Sequence, residues 1–234
     1  MLELLKNDAL LLNNLDNYYQ NFLKYSLYPV PSNSQVSLKE ILNILSLKRR
    51  EILMRELESI KEDVLYKSKI HGIYHSQKVL FWSFVLSGDN KLSEVDEKIL
   101  MDASKYHDIG RTNDIDDTIH GRVSAIKVLS LIDDSIYQIE ENRDLLCAII
   151  ELHSLPDQRE SEIFRKYKLK DTKRFSKLWK ILKDADALDR IRYDLGYLDE
   201  LSFNPVYLRM PTSLNYIKAS YELCTYYKKF KIKK

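Results

Sequence analysis

The sequence predicts an all-α protein. Apolar residues recur at spacings of three and four through most of the chain, which is the period of a helix with one buried face. Five glycines and five prolines in 234 residues leave too few turn formers for a sandwich or barrel of short strands. Strand-type alternation of apolar and polar residues is nowhere sustained.

Taken in order, Leu2, Leu5, Ala9, Leu12, Leu15, Tyr19 and Phe22 place a helix over residues 1–28. The run Pro29-Val30-Pro31-Ser32-Asn33-Ser34 ends it and is the clearest linker in the chain. Residues 1–31 therefore read as an N-terminal helical extension and residues 32–234 as the main domain. The extension is either a dimerisation element or simply packs on the same core. Ser37 followed by Glu40 is a capping-box signature and opens the next helix. Helical periodicity then covers 47–66, 70–86, 93–107, 120–132, 136–153, 160–167, 172–188 and 213–229. The connections are short enough for a compact bundle.

Composition removes several function classes. No run of about 18 apolar residues occurs, so no transmembrane helix is expected. The start, Met1-Leu2-Glu3-Leu4-Leu5-Lys6, lacks the layout of a signal peptide, and a cytoplasmic protein is expected. Cys147 and Cys224 are isolated from each other and read as reduced core thiols. A net charge of +2 exerts no general pull on nucleic acid, and the basic run at 228–234 reads as a solvated end. The sixteen tyrosines read as helix-interface residues.

All five histidines lie between positions 71 and 153: His71, His75, His107, His120 and His153. His75 sits on a helix continuing Val79-Leu80-Phe81-Trp82, so its ring can project from a face bordering the core. His107-Asp108 closes the next helix. Neighbours on a helix point about 100° apart, so the two could not easily share a site from mid-helix. Gly110 beyond them releases the chain and relaxes that constraint. Asp186, in Asp184-Ala185-Asp186-Ala187-Leu188-Asp189, would complete a mixed nitrogen and oxygen set. No ligand is a thiolate, which disfavours a structural zinc site and favours Mn, Fe, Co or Ni, with Mg also admissible.

His75-Ser76-x-x-Val79, His107-Asp108-Ile109-Gly110-Arg111 and Asp184-x-Asp186 together resemble the HD-domain superfamily of metal-dependent phosphohydrolases. The resemblance covers about two thirds of the chain, roughly 68–220. It implies a helical core with His75, His107, Asp108 and Asp186 as metal ligands. Two-metal members carry two further histidines before the last aspartate, which implies His120 and His153 as ligands of a second ion and Asp108 as the bridge. Only twelve residues separate Asp108 from His120, a shorter gap than in the best-known two-metal members. Substrate phosphate therefore stays open as the partner of His120. His71 shares a helical face with His75 and is a candidate substrate contact, a further metal ligand or simply an N-terminal helix residue beside Gly72.

Basic residues near Arg111 are commonly catalytic in the superfamily, so Arg111 is expected to act with Asp108 and to bind substrate; the alternative is a surface ion pair with Asp114 or Asp116. Lys105 reads as a solvated charge. Asp184 and Asp189 could support metal-bound histidines or pair with Arg190 and Arg192, and Arg209 could tie its loop to this acidic cluster. The polar segment 112–118 reads as an exposed, mobile rim.

The expected reaction is attack by metal-held hydroxide on a phosphoester or phosphoanhydride of a nucleotide or other small phosphorylated molecule, with one or two divalent ions. The alternatives are a mixed-valent di-iron oxygenase of the same superfamily and a regulatory module that binds a nucleotide without turnover. Neither a membrane nor a nucleic-acid partner is expected.

Overall fold

The computed structural model describes residues 1, 5, 19–20, 30–32, 34, 36–115, 117–191 and 203–230. The helix expected over residues 1–28, and with it the extension set off at residue 31, lies almost wholly outside them. Among the described residues the regular structure is α-helix with short 3-10 turns and no strand, as the periodicity predicts. No helix among them is long and apolar enough to cross a membrane. They pack as two compact units, Ile60–Lys183 and the combination of Met1–Ser59 with Asp184–Lys234.

In the combined unit, α1 (Leu38–Ile44) and α2 (Leu47–Glu58) precede the boundary. Ser37 caps α1 with the full capping box, its side chain and that of Glu40 each serving the other's backbone. The periodicity over 47–66 overreaches. The Ser59 hydroxyl donates to the Glu56 carbonyl at 2.8 Å, competing with the helical ladder, and α2 stops at Glu58. Numbering the later helices in chain order, this unit also holds α9 (Ile217–Phe230), which packs on α1. Glu222 of α9 accepts from the Leu38 backbone N–H at 2.6 Å, so it satisfies an orphan donor at the α1 N-terminus.

Asp184, fully buried, accepts from the backbone N–H groups of Arg209 and Met210 and from the Ser213 hydroxyl, each at 2.7 Å. Burial pushes its carboxyl above the ordinary range, and these donors only partly offset that. Arg209 does tie its loop to Asp184, chiefly through its main chain. Asp189 accepts from the Cys224 thiol, and Arg190 stacks over Tyr207. Arg192 lies outside the described residues.

The unit Ile60–Lys183 contains α3 (Ile73–Asp89), α4 (Glu94–Tyr106), α5 (His120–Val128), α6 (Glu140–His153), α7 (Glu160–Lys166) and most of α8 (Thr172–Asp189). Residues 78–87 of α3 are buried all round, so this helix is the inner strut of the unit. α3 packs on α4, while α6 touches α4, α5 and α7 and is the central helix. Apolar side chains such as Phe81, Trp82, Ile99, Leu146, Ile149 and Trp179 fill the interior. Ser135–Gln138 forms a 3-10 turn in place of the expected first turn of α6. The Asp134 carboxylate accepts from Ile136 N–H at 3.1 Å and caps that turn separately. Cys147 is buried in α6, and burial pushes its thiol up to about 12, in keeping with a core thiol.

Lys105 is not solvated. It is buried on the inner face of α4, with its ammonium 2.6 Å from Asp102, which also receives Lys98 at 2.8 Å and the Tyr137 hydroxyl at 2.7 Å. Burial alone would raise the Asp102 carboxyl, but Lys105 and Lys98 outweigh it and hold it below its usual value. Its contribution to stability is therefore complete above the ordinary carboxylate pKa of about 3.9 and fades as pH falls through the lower folded value. Asp102→Asn should cost on the order of 3 kcal/mol at pH 7. Thermal melts of the two proteins should converge as pH is lowered below about 3.9. An equal gap at pH 3 and pH 7 would contradict this.

Candidate metal centre

Four of the five histidines converge on one carboxylate inside the unit Ile60–Lys183. Asp108 Oδ2 lies 3.4 Å from His75 Nε2 and 3.6 Å from His107 Nε2. Asp108 Oδ1 lies 3.2 Å from His120 Nε2 and 3.4 Å from His153 Nε2. Each carboxylate oxygen thus faces its own pair of imidazoles. Within the pairs, Nε2 atoms are 3.1 Å apart for His75 and His107 and 3.0 Å apart for His120 and His153. The ligand atoms of His107, Asp108 and His153 all lie within 4.8 Å of one another.

The partners on the far side of each ring decide what these nitrogens present. His107 Nδ1–H donates to the Ser104 carbonyl at 3.0 Å, and His153 Nδ1–H donates to the Ile150 carbonyl. His120 Nδ1–H donates to Asp117 Oδ1 at 3.3 Å. A carbonyl can only accept, so in the neutral rings Nε2 carries the lone pair. Two lone pairs 3.0 Å apart repel unless a cation lies between them, so the donor set fits a bound divalent ion. Burial lowers the His153 pKa, with the neighbouring His120 adding to the effect, and so favours its neutral, metal-binding form. Burial would by itself raise the Asp108 carboxyl; the imidazoles around it, His107 first, hold it well below the usual range.

Local sequence explains how the parts meet. His107 is the C-cap of α4, and Asp108 falls in the turn that follows, off the helical ladder. Gly110 serves close packing rather than a left-handed turn. A Cβ there would collide with the His120 carbonyl and lie 2.7 Å from Ser124 N. Its own N–H donates to Ser124 Oγ at 2.8 Å, clamping the His-Asp turn onto the first turns of α5. Gly121 plays the same part between α5 and α6, where a Cβ would collide with Ser154 Oγ and lie 2.9 Å from the Glu151 carbonyl. The two glycines let His120, the first residue of α5, reach His153, the last of α6.

Arg111 pairs with Asp108. Its Nε donates to Oδ1 at 2.9 Å and its Nη1 to the Ile115 carbonyl at 3.2 Å. His71 is buried outside the two imidazole pairs, with its ring edge-on to His75 at 5.7 Å between centroids and Nδ1–H donating to Asp114 at 2.9 Å. Asp186 lies half-buried in the last turn of α8, among the residues of the other unit. Its expectation as a ligand comes from the order of His and Asp residues along the sequence.

Segment 112–118 is more than a mobile rim. Asp114 takes hydrogen bonds from Ser68 and His71, and Asp117 takes the backbone N–H groups of Ile119 and His120 at 2.8 and 2.7 Å. Asp117, two residues ahead of the N-cap Ile119, takes up backbone N–H groups at the start of α5 and orients the His120 ring, a role sequence reading missed. Its signal was present, since an aspartate in a polar segment before a helix commonly bonds the backbone N–H two residues on, as Asp117 does with Ile119.

The family model of the HD domain matches residues 72–191, just over half of the chain. The chain belongs to the HD-domain family. Searches of the curated proteins and of the solved structures returned no match. HD domains bind divalent metals and form a superfamily of metal-dependent hydrolases. In this HD domain the name-giving pair is His107-Asp108, and the matched segment contains all the histidines but His71.

Proposed function

We propose that this HD domain is a phosphohydrolase that cleaves a phosphoester or phosphoanhydride of a nucleotide or another small phosphorylated molecule. The observation that carries the reading is Asp108, whose two oxygens each face a separate imidazole pair. His75, His107, Asp108 and Asp186 would hold one ion, and His120 and His153, with Asp108 shared, a second. The mixed nitrogen and oxygen donors suit Mn, Fe, Co or Ni, with Mg admissible at lower affinity. Such ions supply Lewis acidity toward a phosphoryl oxygen and a nucleophile from water near neutral pH.

The protein's own groups supply the rest. The Ser104 and Ile150 carbonyls and Asp117 fix the ring orientations before any ion arrives. Arg111 Nη2 makes no hydrogen bond among the described residues and is the donor we assign to the phosphoryl group. His71, oriented by Asp114, is assigned to a substrate oxygen.

Four histidines and two aspartates, Asp108 and Asp186, also match the donor count of a di-iron oxygenase. Metal analysis of the purified protein, followed by phosphate release from mononucleotides, dinucleoside polyphosphates, cyclic dinucleotides and sugar phosphates with Mn as sole metal, separates the readings. Metal-dependent phosphate release is expected. Silence on every substrate, with iron bound and oxygen consumed, would replace the hydrolase by the oxygenase. Ligand binding without turnover would leave a regulatory module.

A further inference from the structure

α5 carries His120, Ser124 and Lys127 at spacings of four and three, which places them on one stripe of the helix. All three meet the turn that holds Asp108. His120 Nε2 lies 3.2 Å from Asp108 Oδ1 in the metal centre. One helical turn further on, Ser124 Oγ accepts from the Gly110 N–H at 2.8 Å. After a further turn, the Lys127 ammonium donates to the Ile109 carbonyl at 3.1 Å.

The last two contacts end on the same peptide unit. The Ile109 carbonyl and the Gly110 N–H belong to one planar group, so holding both ends fixes the tilt of that plane. Ile109 and Gly110 are buried, where backbone polar groups need partners. Within the turn, Ile109 N–H donates to the Tyr106 carbonyl at 3.3 Å and Arg111 N–H to the Asp108 carbonyl at 3.0 Å. Those bonds tie the turn to itself and to the end of α4. Ser124 and Lys127 tie it instead to α5, the helix that supplies His120. Ser124 alone would leave the plane free to pivot about the Gly110 nitrogen, and Lys127 supplies the second fixed point. Lys127 does this from an exposed position, its long stem carrying the ammonium to the turn.

We propose that Lys127 is a positioning residue of the metal centre, holding the Ile109–Gly110 peptide with Ser124 so that Asp108 keeps one oxygen toward His120 and His153. The proposal rests on the metal-centre reading above. Without the ammonium, the turn is freer to shift against α5 but not against His107, which it directly follows. The loss therefore falls on the His120 and His153 side.

The test is a calorimetric titration of the metal-free full chain with Mn alone, for the parent, Lys127→Met and Lys127→Arg. Methionine keeps most of the stem and removes the donor, whereas arginine keeps a donor. The parent should bind two ions. Lys127→Met should bind one as the parent does and the other roughly tenfold more weakly. Lys127→Arg should bind both within about threefold of the parent. Affinities of Lys127→Met within about twofold of the parent, or an arginine variant as weak as the methionine one, overturn the proposal. A lower melting temperature for metal-free Lys127→Met with unchanged Mn affinities also overturns it, because the lysine would then be structural only. Phosphate release from the same samples judges the hydrolase reading separately. Lysine-dependent Mn binding without turnover keeps the role of Lys127 and removes the hydrolase. Turnover with lysine-independent Mn binding does the reverse, and a parent that takes up no Mn overturns both.

Discussion

Replacing Asp108 by Ala is expected to abolish metal-dependent phosphate release, lowering it by at least about a thousandfold, and to reduce bound metal in the purified protein. The size of the effect follows from sharing. Each oxygen of this carboxylate faces one imidazole pair, so a single truncation removes an anionic donor from both halves of the centre. It also strips the partner from Arg111 Nε, leaving a mostly buried guanidinium beside four imidazoles. His153→Ala should behave differently, because it touches one half alone. It should retain the ion held on the His75 and His107 side and lose the other. Elemental analysis of the two variants beside activity decides the matter. Equal metal content and equal residual activity in both would mean that Asp108 is not shared.

Gly110→Ala should be the most damaging substitution that removes no functional group. The added methyl would meet the His120 carbonyl, Ser124 N and Ser124 Oγ, all within 3.0 Å and the first two of them backbone atoms. The His-Asp turn must then move off the start of α5, at an overpacking cost of about 3 kcal/mol. For a chain of this length that corresponds to a fall in Tm of roughly 6–12 °C. The displacement separates Asp108 from His120, so the ion on that side should be lost first. A melt and a metal analysis test the two consequences separately. Unchanged stability would show that the turn and α5 are not clamped as closely as the geometry requires.

The site was legible in the sequence to different depths. Residue type and order carry the metal reading, because imidazole and carboxylate are chemically distinctive and a His-Asp pair followed by Gly is uncommon as a local pattern. The supporting contacts were less visible. Asp117 was read as part of an exposed polar segment, although it accepts from the backbone N–H of His120 and orients its ring. Lys105 was read as solvated because charge on a helix is usually at the surface. Its burial depends on Asp102, Lys98 and Tyr137, and Tyr137 lies 35 residues from Asp102 in the sequence. Helix ends shifted where a hydroxyl or a carboxylate competed with the helical ladder, as Ser59 does after α2 and Asp134 does before α6.

By itself, the sequence determined the all-helical class, the HD-domain family and the residues able to bind a divalent ion. These follow from periodicity and side-chain chemistry, which are local properties. Tertiary structure alone decided that His75 pairs with His107 and His120 with His153, that Asp108 stands between the pairs, and that Gly110 is a packing glycine. The physical reason is distance along the chain. The paired histidines are 32 and 33 residues apart, and the packing of α3 on α4 brings the nitrogens of the first pair, and that of α5 on α6 those of the second, to about 3 Å.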